Sequence, residues 1–359
     1  MQAVILVGGE GTRLRPLTYR TPKPMVPLFG VPFLERTLGR LWDAGVDEVI
    51  LAAGYLPQAI VDHIGDGSKI GLRVQYVVEE APLGTAGALR NVAERLTGPF
   101  FVLNGDVLTS LDLRAMRIYH EGKGGEGVIH AIRVDDPSAF GCLVHDANGK
   151  ISRFVEKPPR DEAPTDEINA GTYLLERSVL DRIPSGRAVS IERETFPELL
   201  AAGGLLYAYT TDDYWLDVGR PEQYVQAHGD VLDGKLTLPP LRDGCGGTMF
   251  VAATQQMPPN VRPPVFVGEG VDIDPSAIVG PYAVVGDGSR IGAQAHVRNS
   301  ILWDGVAVEA GARVTDAILA SNVRVGNGAI VSAGAVIGHD AAIAAGRVLD
   351  PGARVTVDD

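Results

Sequence analysis

Cysteine is almost missing from this 359-residue sequence, which carries only Cys142 and Cys245. Two thiols make no disulfide framework, which excludes a small secreted scaffold and suits a reducing cytoplasm. Long apolar runs are missing too. No stretch approaches the roughly 18 apolar residues that span a bilayer. The amino terminus, MQAVILVGGEGTRLRP, has no basic leader and only a short apolar run, so it does not read as a signal peptide. Lysine is scarce, with 6 residues against 26 Arg. Together these 32 cations face 45 Asp and Glu, for a net charge of −13. Such a balance argues against nucleic acid or an anionic membrane as the main partner. The expectation is a soluble, cytoplasmic protein. Small phosphorylated ligands stay compatible with it, provided a few cations share one cleft.

Glycine is abundant, with 44 residues of 359 against an average share of ~7%. Its use divides the chain. Residues 1–235 alternate strand-like and helix-like segments. Ala3–Val7, Val49–Ala53, Arg73–Val78 and Phe100–Leu103 read as strands. Phe33–Asp43, Gln58–Ile64 and Thr85–Leu96 read as helices. This alternation predicts βαβ units and an α/β domain with a mainly parallel sheet, whose loops gather at the strand C-terminal ends. Residues 236–264 are rich in Pro and Gly and predict a connector with little regular structure.

Residues 265–359 repeat. They can be cut as VFVGEG, VDIDPS, AIVGPY, AVVGDG, SRIGAQ, AHVRNS, ILWDG, VAVEAG, ARVTDA, ILASN, VRVGNG, AIVSAG and onward. A small or β-branched residue opens nearly every unit, and Gly, Asp or Asn usually closes it. The six-residue period predicts a parallel β-helix with one short strand and one turn per unit. Two units, ILWDG and ILASN, are one residue short. At three units per coil the segment makes roughly five coils. Its end needs a partner or a cap, and the charged tail 354–359 is placed to supply one.

The first strand runs into GGEGTRLRPLTYRTPKPMVPLFG, Gly8–Gly30. Gly8, Gly9 and Gly11 let backbone N–H groups approach a ligand closely. Thr12 adds a hydroxyl, Arg13 a planar fork suited to phosphate oxygens, and Lys23 a point charge between two prolines. The loop is neither a Walker A motif nor a GxGxxG fingerprint. A Gly-rich turn alone serves equally well as plain chain reversal. The whole string, however, resembles the signature of the sugar-1-phosphate nucleotidyltransferases, GGxGTRLxPLT followed by PKP.

The resemblance continues in order through EEAPLGTAGAL, FFVLNGDV, FGCLV, FVEKP, INAGTY and YWLDVGRP. It covers essentially the whole chain. It implies a Rossmann-like catalytic domain over 1–235, a connector over 236–264, and a left-handed hexapeptide β-helix over 265–359. It also assigns roles. Glu80 and Gly84 lie where the family meets the nucleotide base and sugar. Asp106, a carboxylate just past a buried strand, and Asp217 are the implied ligands of a catalytic Mg²⁺. Glu156 would bind a sugar hydroxyl and Lys157 the sugar phosphate. Gly141, Asn169 and Gly171 would lie near the hexose. Arg13, Lys23, Asp106 and Lys157 are the implied catalytic set. Read without the family, Asn104–Asp106 is an ordinary turn and Glu156–Lys157 an exposed ion pair.

Within the family, PKPMVP, APLGTAGAL, INAGTYLL, SIERETFPELLAAG and YWLDVGRPEQY followed by a β-helix are most similar to the members that join GTP and mannose 1-phosphate. Members using ATP, UTP or dTTP with glucose 1-phosphate are the alternative, and a non-catalytic regulatory relative is another. An acyl-transferring β-helix would need a catalytic His in a cleft. His296 and His339 each sit in an ordinary unit, and no insertion interrupts the repeat. A homo-oligomer, most simply a dimer, is the expected assembly.

Overall fold

The computed structural model describes residues 1–79, 81–238, 247–250 and 258–357. The chain forms two compact units: Met1–Gly9 with Thr37–Trp215, and Glu10–Arg36 with Leu216–Asp359.

The first unit is built on a nine-stranded sheet. Its strands are β1 (Gln2–Val7), β2 (Glu48–Ala53), β3 (Arg73–Val78), β4 (Phe100–Asn104), β5 (Gly127–Arg133), β6 (Gly141–His145), β7 (Ile151–Glu156), β8 (Glu167–Leu175) and β9 (Leu206–Thr210). The expected parallel core is β3–β2–β1–β4. Its strands are near-continuous apolar runs because both faces are covered. Antiparallel pairing then extends the sheet: β8 pairs with β4, β5 and β6, and β6 with β7. β9 closes this half by pairing parallel to β5. Val4, Ile50, Phe100, Val102, Phe154, Tyr173 and Phe196 belong to one buried cluster around this sheet. Helix Gly84–Asn91 packs its buried Ala86, Ala88 and Leu89 into the same cluster. It ends short of the predicted Leu96, and a separate 3-10 turn follows at Ala93–Arg95.

The order of the core positions the site. From β1 the chain moves outward to β2 and β3, then returns to β4 on the other flank of β1. Such a reversal opens a crevice at the C-terminal ends of the two strands on either side of it. Those ends are Val7–Gly9 and Asn104–Asp106.

The second unit contains the parallel β-helix. Successive coils lay their short strands into three sheets of seven, five and four strands. Partners in the longest sheet are Val265 with Ala283, Val284 with Ile301, Ile301 with Ile318, Ile318 with Val336, and Val336 with Arg354. The coil is therefore 17 or 18 residues, three units, and the two short units each shorten a coil by one residue without breaking register. Those two units end at Gly305 and Asn322, both at positive φ (69° and 62°). Gly and Asn adopt this conformation at least cost. Inside, like stacks on like: Ala277, Ala295, Ala312 and Ala329, and beside them Val279, Val297, Val314 and Val331, are all buried.

Two details depart from the sequence reading. Within the proline-rich stretch, Thr248–Phe250 forms a strand antiparallel to Val265–Val267, so an otherwise open sheet edge is paired. At the other end, Arg354–Val355 is not a cap but a further rung, pairing with Val336–Ile337.

Candidate active site

Glycines bring the two strand ends at the crevice together. A Cβ on Gly105 would stand 2.9 Å from Val7 Cγ1 and 3.0 Å from the Leu6 carbonyl, so only Gly lets the turn after β4 lie against β1. The Gly105 N–H donates to that carbonyl at 3.1 Å. This turn delivers Asp106, half-buried, to the sheet edge that also carries exposed Gly8 and Gly9. A Cβ on Gly54, past β2, would stand 3.0 Å from the Gly8 carbonyl, while nothing lies within 4 Å of one on Gly9. The loop is thus packed at Gly8 and open at Gly9.

A second group of residues adjoins this turn. Gly171, in the bulge of β8 and at φ 76°, packs on Asn104; a Cβ there would stand 2.7 Å from Asn104 Nδ2. The Gly171 N–H donates to Asn169 Oδ1 at 3.0 Å. The Asn169 amide donates to the Tyr173 hydroxyl at 2.8 Å, and that hydroxyl donates to Glu192 Oε1 at 3.4 Å. Thr85 and Ser190 hydroxyls donate to Glu192 Oε2 at 2.9 and 2.7 Å. Glu156 ends β7, with Gly141 opposite it in register. A Cβ on Gly141 would stand 2.8 Å from Glu156 Oε2 and 2.5 Å from the Phe154 ring, so a side chain at 141 has no room. Burial lifts the Glu156 carboxyl above its ordinary range, and the negative charge of Glu192 adds to the shift. Lys157, exposed and at φ 49°, stands 3.6 Å from Glu156 and is fixed by its N–H donating to the Phe140 carbonyl at 2.9 Å. A lysine in left-handed backbone costs free energy, and such strain collects at functional sites.

Further along the chain, Gly84 opens its helix at φ 70°, and a Cβ there would stand 2.6 Å from the Val189 carbonyl. Glu79 accepts from the Leu83 N–H at 3.1 Å. Glu80 lies outside the described residues.

The signature loop belongs to the second unit. Gly11 is at φ 61°, and a Cβ there would stand 3.0 Å from Lys23 Cβ and 3.1 Å from Thr18 Cγ2. The Thr18 hydroxyl donates to the Gly11 carbonyl at 2.8 Å, so the loop folds back on itself and carries Lys23 to Gly11. Thr12 and Arg13 are exposed on a 3-10 turn, Thr12–Leu14, that Leu14 anchors in the interior. Arg13 reaches the segment following Asp217: a Cβ on Gly219 would stand 2.8 Å from Arg13 Nη2. Asp217 itself closes the short strand Trp215–Asp217.

The model for nucleotidyl transferases matches residues 2–234, and so covers every candidate site residue placed above. The chain belongs to the nucleotidyl transferase family. The model for the GMPPB C-terminal domain matches residues 261–355, the β-helix. A mannose-1-phosphate guanylyltransferase of Mycobacterium tuberculosis is 42% identical over 87% of this chain and 82% of its own length. Mannose-1-phosphate guanylyltransferase 1 of Arabidopsis thaliana is 35% identical over 95% and 91%. Among solved structures, HddC of Yersinia pseudotuberculosis complexed with GMP-PN is 32% identical with a TM-score of 0.54, covering 64% of this chain and 99% of that one.

The group around Asn169 and Glu156 holds more residues of this nucleotidyl transferase than the sequence singles out. Tyr173, Glu192, Thr85 and Ser190 join Asn169 in one hydrogen-bonded network, and the Glu192 charge acts on Glu156. SIERETF reads as a single string whose glutamates look alike on paper. Only the fold shows that Glu192 points to Tyr173 while Glu194 accepts from the Ser190 N–H and pairs with Arg187. Among the described residues, no three His, Cys, Asp or Glu side chains gather into a metal cage. No helix among them is long and apolar enough to cross a membrane.

Proposed function

We propose that this nucleotidyl transferase makes GDP-mannose and pyrophosphate from GTP and mannose 1-phosphate. The observation that carries the reading is the 42% identity, over 87% of the chain, to a protein named for that activity. A guanine nucleotide is also supported by the solved HddC structure, which is a complex with GMP-PN. Residues 1–235 would be the catalytic domain, 236–264 the connector and 265–359 a left-handed β-helix.

An oxygen of the sugar phosphate attacks the α-phosphorus of GTP in line. The bond from the α-phosphorus to the bridging oxygen of the β-phosphate breaks, and pyrophosphate leaves with the electron pair. No proton has to be removed from the nucleophile and no covalent enzyme intermediate is required. The obstacle is charge. Two unit charges ~4 Å apart repel by about 4 kcal/mol at an effective dielectric of ~20. Arg13 and Lys23 would offset this at the transferring and leaving phosphates, and Lys157 at the attacking one. Gly8, Gly9 and Gly11, with the Thr12 hydroxyl, would let the triphosphate lie against the backbone. Glu80 and Gly84 would face the base and ribose. Glu156 and Asn169 would accept and donate to hexose hydroxyls, with Gly141 and Gly171 leaving room for the ring. Asp106 and Asp217 offer hard carboxylate oxygens, a donor set that suits Mg²⁺ held jointly with phosphates rather than in a protein cage. When bound there, Mg²⁺ neutralises charge on the α-phosphate. Working in the cytoplasm as a homo-oligomer completes the reading.

A panel of GTP, ATP, UTP and dTTP against mannose 1-phosphate and glucose 1-phosphate, read by pyrophosphate release, tests it. Turnover is expected with GTP and mannose 1-phosphate. Preference for another pair overturns the substrate assignment. No release with any pair would favour a non-catalytic relative.

A further inference from the structure

The β-helix grips the signature loop on both sides of Lys23. On one side, Gly338 lets the coil approach closely: a Cβ there would stand 3.2 Å from Pro16 Cβ. The next residue, His339, holds two loop positions. Its ring hydrogen-bonds the backbone of Leu17, and its Nε2 lies 3.0 Å from the Thr21 hydroxyl. A neutral imidazole does both, with one N–H for a carbonyl and one lone pair for a hydroxyl. Burial, with the Arg20 charge adding to it, pushes the His339 ring towards that neutral form. Asp340 pairs with Arg20 and accepts from the Asn322 amide one coil earlier at 3.0 Å. On the other side, Trp303 stands edge-on to the His339 ring, with centroids 5.3 Å apart. Its indole N–H meets the Tyr224 hydroxyl at 3.0 Å, and that hydroxyl donates to the Pro27 carbonyl at 2.5 Å. Thr21 and Pro27 bracket Lys23, so the β-helix holds the segment that carries it directly at Thr21 and, through Tyr224 of the helix Pro221–Leu232, at Pro27.

Resting on the reading of Lys23 as a phosphate-binding residue, we propose that His339 is a positioning residue for the transfer, acting from the β-helix through Thr21 to set where Lys23 stands. Thr21, Lys23 and Gly11 are linked in sequence and packing, so a loop freed at Thr21 lets Lys23 drift from Gly11. The β-helix is then part of the catalytic apparatus for the nucleotide half of the reaction, and not of the sugar half.

Kinetics and amide hydrogen exchange on the full chain test this with His339→Ala, His339→Gln and Thr21→Val. Thr21→Val removes only the hydroxyl, so it covers the case in which His339→Ala fails to fold. His339→Ala and Thr21→Val are expected to lower kcat/KM for GTP about tenfold while KM for mannose 1-phosphate changes less than about twofold. His339→Gln should recover most of the loss, because its amide can also donate and accept. In a Lys23→Ala background, His339→Ala should cost less than about twofold more, since residues acting through one another are non-additive. A tenfold rise in KM for mannose 1-phosphate, or a full tenfold loss on top of Lys23→Ala, overturns the proposal. Exchange needs no turnover. Amides of residues 16–27 should exchange faster in His339→Ala and Thr21→Val than in wild type, and unchanged exchange overturns the proposal. Absence of wild-type turnover with every substrate pair would instead sink the reading of the reaction, and the exchange result would still decide whether His339 holds the loop.

Discussion

The side-chain amide of Asn169 donates to the hydroxyl of Tyr173 at 2.8 Å, across the bulge where β8 loses register with β5. The phenol is fully buried, and burial raises its pKa far above the ordinary tyrosine value. It therefore keeps its proton, accepts from Asn169 and donates to Glu192. Tyr173→Phe removes the link and leaves the Asn169 amide one partner short. The expected result is a KM for mannose 1-phosphate raised about tenfold with KM for GTP little changed, and a stability loss of about 1–2 kcal/mol. Steady-state kinetics with each substrate varied in turn would check the first part, and urea unfolding the second.

Gly171 sits inside the same bulge. Alanine there meets two objections at once, a φ of 76° and the Asn104 amide 2.7 Å from its Cβ. Gly171→Ala should destabilise the protein by about 1–3 kcal/mol. Adding Asn104→Ala removes the clash but not the backbone strain, so it should return only part of the loss. Full recovery in thermal unfolding would assign the cost to the clash alone, and no recovery would assign it to φ.

These two sites mark where sequence reasoning stops. β1 to β4 are legible because strands buried on both faces must be apolar throughout. The β-helix is legible because each coil places the same positions in the same surroundings, and so repeats the same residue types. The positions of Gly8, Gly9 and Asp106 are legible because crossover topology sends both strand ends to one edge. Glu192 is not, because its partners Thr85 and Tyr173 are 107 and 19 residues away. The hold on Thr21 is hidden further still: His339 is 318 residues distant and sits in a unit like its neighbours. Nor does the pattern reveal that the tail at Arg354 adds a rung, since a capping strand and a pairing strand have the same composition.

Lys157 and Asp106 are expected to matter for turnover and little for folding. Lys157 is exposed, and its charged neighbour Glu156 is 3.6 Å away. Asp106 is half-buried on a turn whose packing is set by Gly105. Lys157→Ala and Asp106→Ala should each lower kcat by about 100-fold or more, the scale of losing one preorganised charge at a transfer site. Thermal midpoints should stay close to wild type. Near-normal turnover in either purified variant would remove that residue from the mechanism.

Asp217→Ala addresses the cation. If this carboxylate is one of two protein oxygens on Mg²⁺, its loss should shift half-maximal activity to higher Mg²⁺, by about tenfold or more, while saturating Mg²⁺ restores part of the rate. A titration that overlays the wild type would count against Asp217 as a metal ligand. Arg13, packed on Gly219 two residues on, supplies a control: Arg13→Ala should lower kcat without moving the Mg²⁺ midpoint.

Acid should loosen the second unit through His228. The ring is buried between Phe29 and Tyr224, with centroids 4.8 and 4.7 Å away. Its Nδ1–H donates to the Tyr224 carbonyl at 3.0 Å, and Nε2 accepts from the Phe29 N–H at 3.4 Å, which fixes the neutral form. Burial lowers its pKa from 6.5 to about 4. Above pH ~6.5 the ring is neutral in the folded and unfolded states alike, and its full contribution is present. As pH falls, the unfolded chain takes up a proton that the folded ring refuses until about 4, so stability is lost across that window. The loss is on the order of a few kcal/mol, and below pH ~4 it stops growing. Urea unfolding at pH 7, 6, 5 and 4 would measure the slope. His228→Gln should be less stable at pH 7 but flatter between pH 6.5 and 4. A variant that keeps the wild-type slope would show that the acid sensitivity comes from elsewhere, with the equally buried His130, also lowered to about 4, the next group to replace.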